Sequence, residues 1–147
     1  MSKELAGYEL QLCDIQGRLF ERSLIQNLDS EDFIEKFMNS KTCEYLDMPY
    51  DRLQWAGEEY ILENLLDEAP VRPIGKSYGK EELYWTGYIY RYWHLLTGDS
   101  GRDIYTQAKA DRMRDCYFGF HSLDAEMAIE DLKEIYRQKN DMSSCVI

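Results

Sequence analysis

Apolar residues recur along this chain at spacings of three and four, which is the period of an amphipathic α-helix. In residues 3–26 they form one stripe, and Ser2 is the predicted N-cap. Further helices are predicted at 31–39, 41–46, 50–67, 101–108, 111–118 and 123–139, with a bend at Gly57. No segment alternates like a strand. The pattern therefore predicts an all-α fold, a single compact domain of six to eight helices, several of them short.

The most apolar segment, from about 80 to 97, is predicted to be the central helix. Six of the ten residues from Tyr84 to Trp93 are aromatic, and Arg91 carries the only formal charge between Glu82 and Asp99. Positions 84, 88, 92 and 95 form one stripe, and 85, 89, 93 and 96 form the next. These rings cover too much of the helix for a single binding stripe, so most of them are assigned to the core. Tyr90 lies on the far side of the helix, and Tyr90 and Arg91 are the positions predicted to face outward.

Two kinds of residue mark the chain's internal organisation. Prolines and glycines between 70 and 80 rule out a regular helix there. This Pro/Gly loop separates an acidic helical half, 1–69, from the aromatic helix and the C-terminal helices, 81–140, and residues after 140 are expected to fray. Neither half is large enough to stand alone, so the chain, 1–147, is treated as one domain.

The charge is concentrated in the first half. The net charge is −11; residues 1–69 hold 6 Lys and Arg against 16 Asp and Glu, whereas residues 70–147 hold 11 against 12. The electrostatic field of this acidic half repels nucleic-acid phosphates and anionic lipids and attracts a basic partner. We therefore expect no direct nucleic-acid binding and no membrane binding, and a protein partner is favoured.

The cysteines and histidines give no sign of a metal or cofactor. Cys13, Cys43, Cys116 and Cys145 form no C-x-x-C pair and lie at no zinc-ligand spacing from His94 or His121. Phosphate-loop, dinucleotide and nucleophile-elbow motifs are also absent. No cofactor is predicted, no catalytic residue is assigned, and the lack of a signal peptide favours a reduced cytoplasmic location with free thiols.

Several sequence blocks resemble a group of small acidic proteins from gut bacteria. They are YDRLQWAGEEYILE at 50–63, WxxYIYRYWHxxTG at 85–98, and the shorter matches Ile104-Tyr105, Phe120-His121 and Leu132. The resemblance covers most of the chain. It implies the non-catalytic member of a small gene pair, similar to toxin–antitoxin modules, some of whose partners resemble ADP-ribosyltransferases. It supplies no catalytic residues.

These observations favour a non-enzymatic interaction protein that binds and neutralises or regulates a partner, as an antitoxin does. The residues predicted to contact that partner are Arg52, Trp55, Glu58, Glu59, Tyr90 and Arg91. The alternative is a small-molecule-binding protein or an enzyme, and its pocket would be lined by Tyr88, Tyr92, Trp93, His94 and His121. A third reading is a homo-oligomer with the aromatic helix at its interface.

Overall fold

The helices of the structure follow one another along the chain much as the sequence predicts. The computed structural model describes residues 4–49 and 51–145, with side chains up to residue 140. Within these residues there is no strand, so the predicted all-α class is confirmed. The elements are α1 (Gly7–Ile25), α2 (Ser30–Met38), α3 (Lys41–Asp47), a 3-10 helix (Arg52–Trp55), α4 (Glu58–Glu68), α5 (Lys80–Thr97), α6 (Gly101–Gln107), α7 (Ala110–Phe120) and α8 (Ala125–Cys145).

Most predicted boundaries hold, and local chemistry explains them. Gly98 ends α5 in the left-handed conformation, with φ 81°, where a side chain would be strained. The hydroxyl of Ser100 accepts a hydrogen bond from the backbone N–H of Asp103 and so caps α6. Gly57, with φ 82°, separates the 3-10 helix from α4, so the predicted segment 50–67 is two helices that meet at this glycine.

Three helices have boundaries that differ from the prediction. The first helix begins at Gly7 rather than at residue 3, while Ser2, like Tyr50, lies outside the described residues. Helix α7 continues to Phe120 through a segment that the sequence assigned to a break. The last helix begins at Ala125 rather than at residue 123 and continues to Cys145, into the segment 140–147 that was expected to fray.

Helix α5 makes its most extensive contact with α1, and two glycines allow the close approach. A Cβ atom at Gly87 would lie 2.5 Å from the backbone oxygen of Gln16 and 2.8 Å from Cγ of Phe20. A Cβ atom at Gly17 would lie 2.7 Å from the ring of Tyr84. Neither position has room for a side chain, so the crossing of the two helices depends on both glycines.

One hydrophobic core joins the two halves of the chain. Phe20 meets Phe33 and Phe37 edge-to-face, with ring centroids 5.1 and 5.5 Å apart, and Tyr90 of α5 completes the cluster at 6.2 Å. The same contiguous core reaches Leu132 on α8. Because apolar residues from both sides of the Pro/Gly loop share it, the described chain is one domain.

The Pro/Gly loop is fastened to the start of α2. The carboxylate of Asp29 accepts from the backbone N–H of Asp32, which caps the helix, and from that of Lys76, which holds the loop. The backbone N–H of Tyr78 donates to the hydroxyl of Ser30 at 3.0 Å. Burial alone would raise the pKa of Asp29, but the N–H donors and the nearby Arg72 lower it below the usual value.

Candidate functional site

Tyr90 and Arg91 do not face outward, so that part of the partner-site prediction is wrong. Their exposed fractions are 1% and 2%. The hydroxyl of Tyr90 donates to the carbonyl of Ala108, beyond the end of α6. The positions of α5 that seemed free in the sequence are covered by α1, by α3 and by the end of α6, which a helical wheel of α5 alone cannot show.

Arg91 is the centre of a buried polar network. Its Nε donates to the side-chain oxygen of Gln16 at 2.9 Å, and the amide of Gln16 donates in turn to the carbonyl of Gly87. Nη1 of Arg91 pairs with the carboxylate of Asp47 at 2.5 Å, and Nη2 lies 3.7 Å from the sulfur of Cys43. The network ties α1, α3 and α5 together, which is a structural role rather than a surface one.

The other four residues of the predicted partner site lie at the surface. Arg52, Trp55 and Glu59 are exposed and Glu58 is half-buried. Both glutamates also serve the fold, because Glu59 pairs with Arg22 at 3.0 Å and Glu58 lies 4.0 Å from Arg18. They help to hold α4 against α1, so they are only partly available to a partner.

Trp55, on the 3-10 helix, is an exposed aromatic residue with other exposed rings near the same helix. Its side chain is 72% exposed, although tryptophan has more apolar area to bury than most residues. On one side of the 3-10 helix, Trp55 and Tyr8 line a small hollow; on the other, Arg52, Tyr45 and Tyr60 line a groove of about 610 Å³. We call these five residues the Trp55 surface.

The surroundings of the Trp55 surface are acidic. Asp51 lines the groove, and Glu44 and Glu63 are exposed on the helices α3 and α4 that flank it. None of these three carboxylates forms an ion pair with a residue in the described part of the chain. Three exposed tyrosines and a tryptophan therefore sit beside unpaired negative charge.

The alternative pocket is not assembled as the sequence predicted. Trp93 is buried and its indole N–H donates to Asp99, while Nδ1 of His94 donates to the backbone carbonyl of Asp99 at 2.8 Å. Nε2 of His94 lies 3.7 Å from Asp47. Tyr88 and His121 do line one cleft. It is a different cleft, and Tyr92, Trp93 and His94 do not line it.

The cleft that contains Tyr88 and His121 lies between α1, α5 and the end of α7 and has a volume of about 720 Å³. We call it the His121 cleft. Its lining residues are Asp14, Arg18, Glu21, Lys80, Glu81, Tyr84, Trp85, Tyr88, Tyr117 and His121. The volume falls within the range of ordinary ligand sites.

The aromatic rings of the His121 cleft are held in fixed positions. Tyr117 stacks on His121 with ring centroids 4.5 Å apart, and Trp85 meets Tyr117 edge-to-face at 5.9 Å. Tyr84 lies beside Tyr88 at 6.0 Å and donates its hydroxyl to Asp14. Burial, and then this hydrogen bond to a carboxylate, raise the pKa of Tyr84, so its hydroxyl stays protonated.

The sequence reasoning missed most of this cleft. Spacings of four join Tyr84 to Tyr88 and Tyr117 to His121, so each pair was predictable as neighbours on one helix face. The approach of α7 to the first turns of α5 was not readable, because it depends on contacts between residues such as Trp85 and Tyr117 that are far apart in the sequence.

The three cysteines whose side chains the structure describes do not offer a reactive thiolate. Cys13 and Cys43 are buried, and burial raises the pKa of each thiol to about 12. Burial also raises the pKa of Cys116, which is half-buried. Among the residues with described side chains, no group of three or more His, Cys, Asp or Glu is placed to hold a metal ion.

Comparison with known proteins gives this chain no relative. No family model matches it, and no curated protein and no solved structure shows a significant match. In the part of the chain that the structure describes, no helix is both long and apolar enough to cross a membrane. The resemblance to small acidic proteins of gut bacteria therefore stays a prediction.

Proposed function

We propose that this chain is a non-enzymatic protein that binds a basic partner protein through the Trp55 surface and neutralises or regulates it, as an antitoxin does. The observation that carries the proposal is the 72% exposure of Trp55 on that surface. Tryptophan, tyrosine and arginine are the residue types that dominate binding energy in protein interfaces.

The side chain of Trp55 is not one of those that anchor the 3-10 helix to the rest of the domain. The 3-10 helix that carries it is anchored by its neighbours: Leu53 is buried, and the side chain of Gln54 donates to the carbonyl of Leu46 at 2.9 Å. Asp51 caps the turn through the N–H of Leu53. Trp55 is thus presented on a short, well-anchored support, which lowers the entropy cost of binding.

The negative charge around the Trp55 surface favours a partner protein with a basic surface. The unpaired Asp51, Glu44 and Glu63 lie around the rings, and residues 1–69, which contain the whole Trp55 surface, hold 6 basic against 16 acidic residues. A basic surface would be steered toward this half of the molecule and would gain ion pairs at the rim. Arg52 would then contact an acidic or carbonyl group of that partner.

The proposal places the chain in the cytoplasm, with a partner encoded by a neighbouring gene. Free thiols at Cys13, Cys43 and Cys116 support a reducing compartment. The homo-oligomer that the sequence left open remains a prediction, which light scattering would test. A monomer in solution would leave the Trp55 surface available to a different protein.

The test uses the protein encoded next to this chain in its genome. We expect the purified pair to form a complex, with Trp55→Ala weakening affinity at least about tenfold, the usual effect of removing a central aromatic contact. Phe118→Ala is the matched control, because Phe118 is 86% exposed on α7, outside the Trp55 surface. If the neighbour is toxic, co-expression of the wild-type chain should restore growth and co-expression of the Trp55 variant should not.

Two results would contradict the proposal. One is the absence of a complex with any protein encoded beside this chain. The other is a complex that forms equally well with Trp55→Ala and with Phe118→Ala. Stability is not a confounding factor, because Trp55 is largely exposed and its replacement should alter the free energy of unfolding by no more than about 0.5 kcal/mol.

A further inference from the structure

The His121 cleft is separate from the Trp55 surface, and no residue lines both. Five of its ten lining residues carry aromatic rings, and the other five carry charges of both signs. The positive charges are already neutralised within the cleft. Nε of Arg18 pairs with Asp14 at 3.1 Å, and Nζ of Lys80 lies 4.0 Å from Glu21.

One carboxylate of the cleft is left without a positive partner. Glu81 forms no ion pair with any residue whose side chain the structure describes; it accepts only a long hydrogen bond, 3.3 Å, from the hydroxyl of Tyr117. Burial, and then the negative charge of Glu81, raise the pKa of Tyr117, so its hydroxyl remains a neutral donor. The charge of Glu81 is therefore uncompensated.

The aromatic rings next to Glu81 are suited, like its negative charge, to a positively charged ligand. Tyr117, which stacks on His121 and donates its hydroxyl to Glu81, and the half-buried Tyr88 line the cleft together with this carboxylate. Trp85 is only 8% exposed and contributes little surface of its own. The face of an aromatic ring attracts a cation, most strongly for tryptophan and tyrosine. An uncompensated carboxylate next to such rings selects for positive charge, whereas an apolar cleft without it would accept neutral ligands equally well.

Two further groups in the cleft have no internal partner. Nδ1 of His121 donates to the carbonyls of Tyr117 and Phe118, at 2.9 and 3.1 Å, so in the neutral ring Nε2 is the acceptor. Neither that nitrogen nor the hydroxyl of Tyr88 bonds to a residue in the described ranges. A ligand that carries a hydroxyl as well as a positive charge could use both.

We propose that the His121 cleft binds a small organic cation, a quaternary or substituted ammonium compound, with Glu81 opposing its charge and Tyr88 and Tyr117 packing around its alkyl groups. This function is additional to partner binding at the Trp55 surface, and it requires no chemical step. The cleft, at about 720 Å³, has room for such a ligand.

The probe is choline, compared with 3,3-dimethylbutan-1-ol, a neutral compound of nearly the same shape. Binding is followed by NMR through the indole N–H signal of Trp85, which lines the cleft and lies against Tyr117, with the signal of Trp93, which does not line the cleft, as an internal reference. We expect choline to shift the Trp85 signal at millimolar concentration, and the neutral compound to bind about tenfold more weakly, the loss expected when the cation–π and charge interactions are removed.

Variants separate the charge from the shape of the cleft. Glu81→Gln should weaken choline binding about fivefold, the scale of a partly exposed ion pair, and should leave the neutral compound unaffected. Glu63→Gln, an exposed carboxylate outside the cleft, is the matched control. Tyr117→Phe keeps the ring and should retain choline binding even though it loses the bond to Glu81.

The proposal of a cation site would be contradicted by any of the following results. Equal affinity for the two probes would show an apolar cleft without cation selectivity. No shift of the Trp85 signal with choline, or an unchanged affinity in Glu81→Gln, would show that this carboxylate and these rings do not form a cation site. Neither result would affect the proposed partner interaction, which is tested at Trp55.

Discussion

The side-chain oxygen of Gln16 on α1 accepts a hydrogen bond from Nε of Arg91 on α5, at 2.9 Å and with both side chains buried. The same amide donates to the carbonyl of Gly87, one turn earlier on α5. Gln16 thus neutralises none of the charge of Arg91 but satisfies one of its donors, while Asp47 supplies the negative charge. The buried cation is tolerated because its three nitrogen atoms all have partners.

Replacing Arg91 by Met should destabilise the fold strongly. The variant leaves Asp47 without its cation and Gln16 without its donor, and breaking a buried pair of this kind costs about 3 kcal/mol. The free energy of unfolding in urea at pH 7 measures the effect. Arg18→Met, which removes the exposed pair with Asp14, is the control and should cost about 0.5 kcal/mol. Equal effects of the two substitutions would show that the Arg91 network is not a structural centre.

Replacing Gly87 by Ala should destabilise the protein even though alanine favours helix. The new Cβ atom would lie 2.5 Å from the backbone oxygen of Gln16, which cannot move without shifting α1. We expect a net loss of about 2 kcal/mol, since overpacking outweighs the gain in helix propensity. Thermal unfolding followed by circular dichroism measures it.

Gly119 provides the matched control for Gly87. It lies within α7, and a Cβ atom there would meet nothing within 4 Å. Gly119→Ala should therefore stabilise the protein by about 0.5–1 kcal/mol, as expected for a free helical position. If both alanine variants stabilised it, the close crossing of α1 and α5 would be wrong.

Stability should fall in acid partly through Asp29. The folded protein lowers the pKa of this carboxyl, so its contribution is complete above the unfolded value, about 3.9, and is lost as the pH falls through the lower folded value. Asp29→Asn should lose about 2 kcal/mol at pH 7, because the new NH₂ group faces the N–H of Lys76 or that of Asp32. Denaturant unfolding at pH 7 and pH 3 measures both effects.

The difference between wild type and Asp29→Asn should be smaller at pH 3 than at pH 7, since the wild-type carboxyl loses part of its advantage. Glu35→Gln, an exposed site on the same helix, is the control and should leave the pH profile nearly unchanged. A difference between wild type and Asp29→Asn that does not depend on pH would contradict an ionised Asp29 in the folded state.

The buried cysteines should resist modification in the native protein. With pKa values of about 12, the thiols of Cys13 and Cys43 have a thiolate fraction at pH 8 about a thousandfold below that of an ordinary thiol. Labelling with N-ethylmaleimide followed by peptide mass spectrometry should show Cys116 reacting faster than either. Denatured protein, in which all the cysteines react, is the reference. Labelling of Cys43 at the denatured rate would place it at the surface.

The sequence was most informative about structural features that a few neighbouring residues determine by themselves. The start of α6 follows from Ser100 three residues before Asp103, and the end of α5 follows from Gly98. The Pro/Gly loop follows from residues that cannot continue a helix. Such features depend on neighbours within a few residues, so they were predictable from the chain alone.

The surface was less predictable than the elements. Trp55, Arg52 and Glu59 are exposed, as expected, because the 3-10 helix and the first turn of α4 lie at the edge of the domain. Tyr90 and Arg91 were placed outside by the same kind of reasoning, and the structure buries them. A helical wheel gives the angle between side chains, but it does not say which angles a neighbouring helix will cover.

The sequence by itself determined the all-α class and most helix boundaries, because hydrophobic period, caps and breakers act over one or two turns. Tertiary structure alone decided that Arg91 is buried and that Tyr88 and His121 share a cleft. The partner of Arg91, Gln16, is 75 residues away, and the two meet only because Gly17 and Gly87 let α1 and α5 approach closely. A contact that depends on how whole helices dock has no signature in the local pattern of either helix.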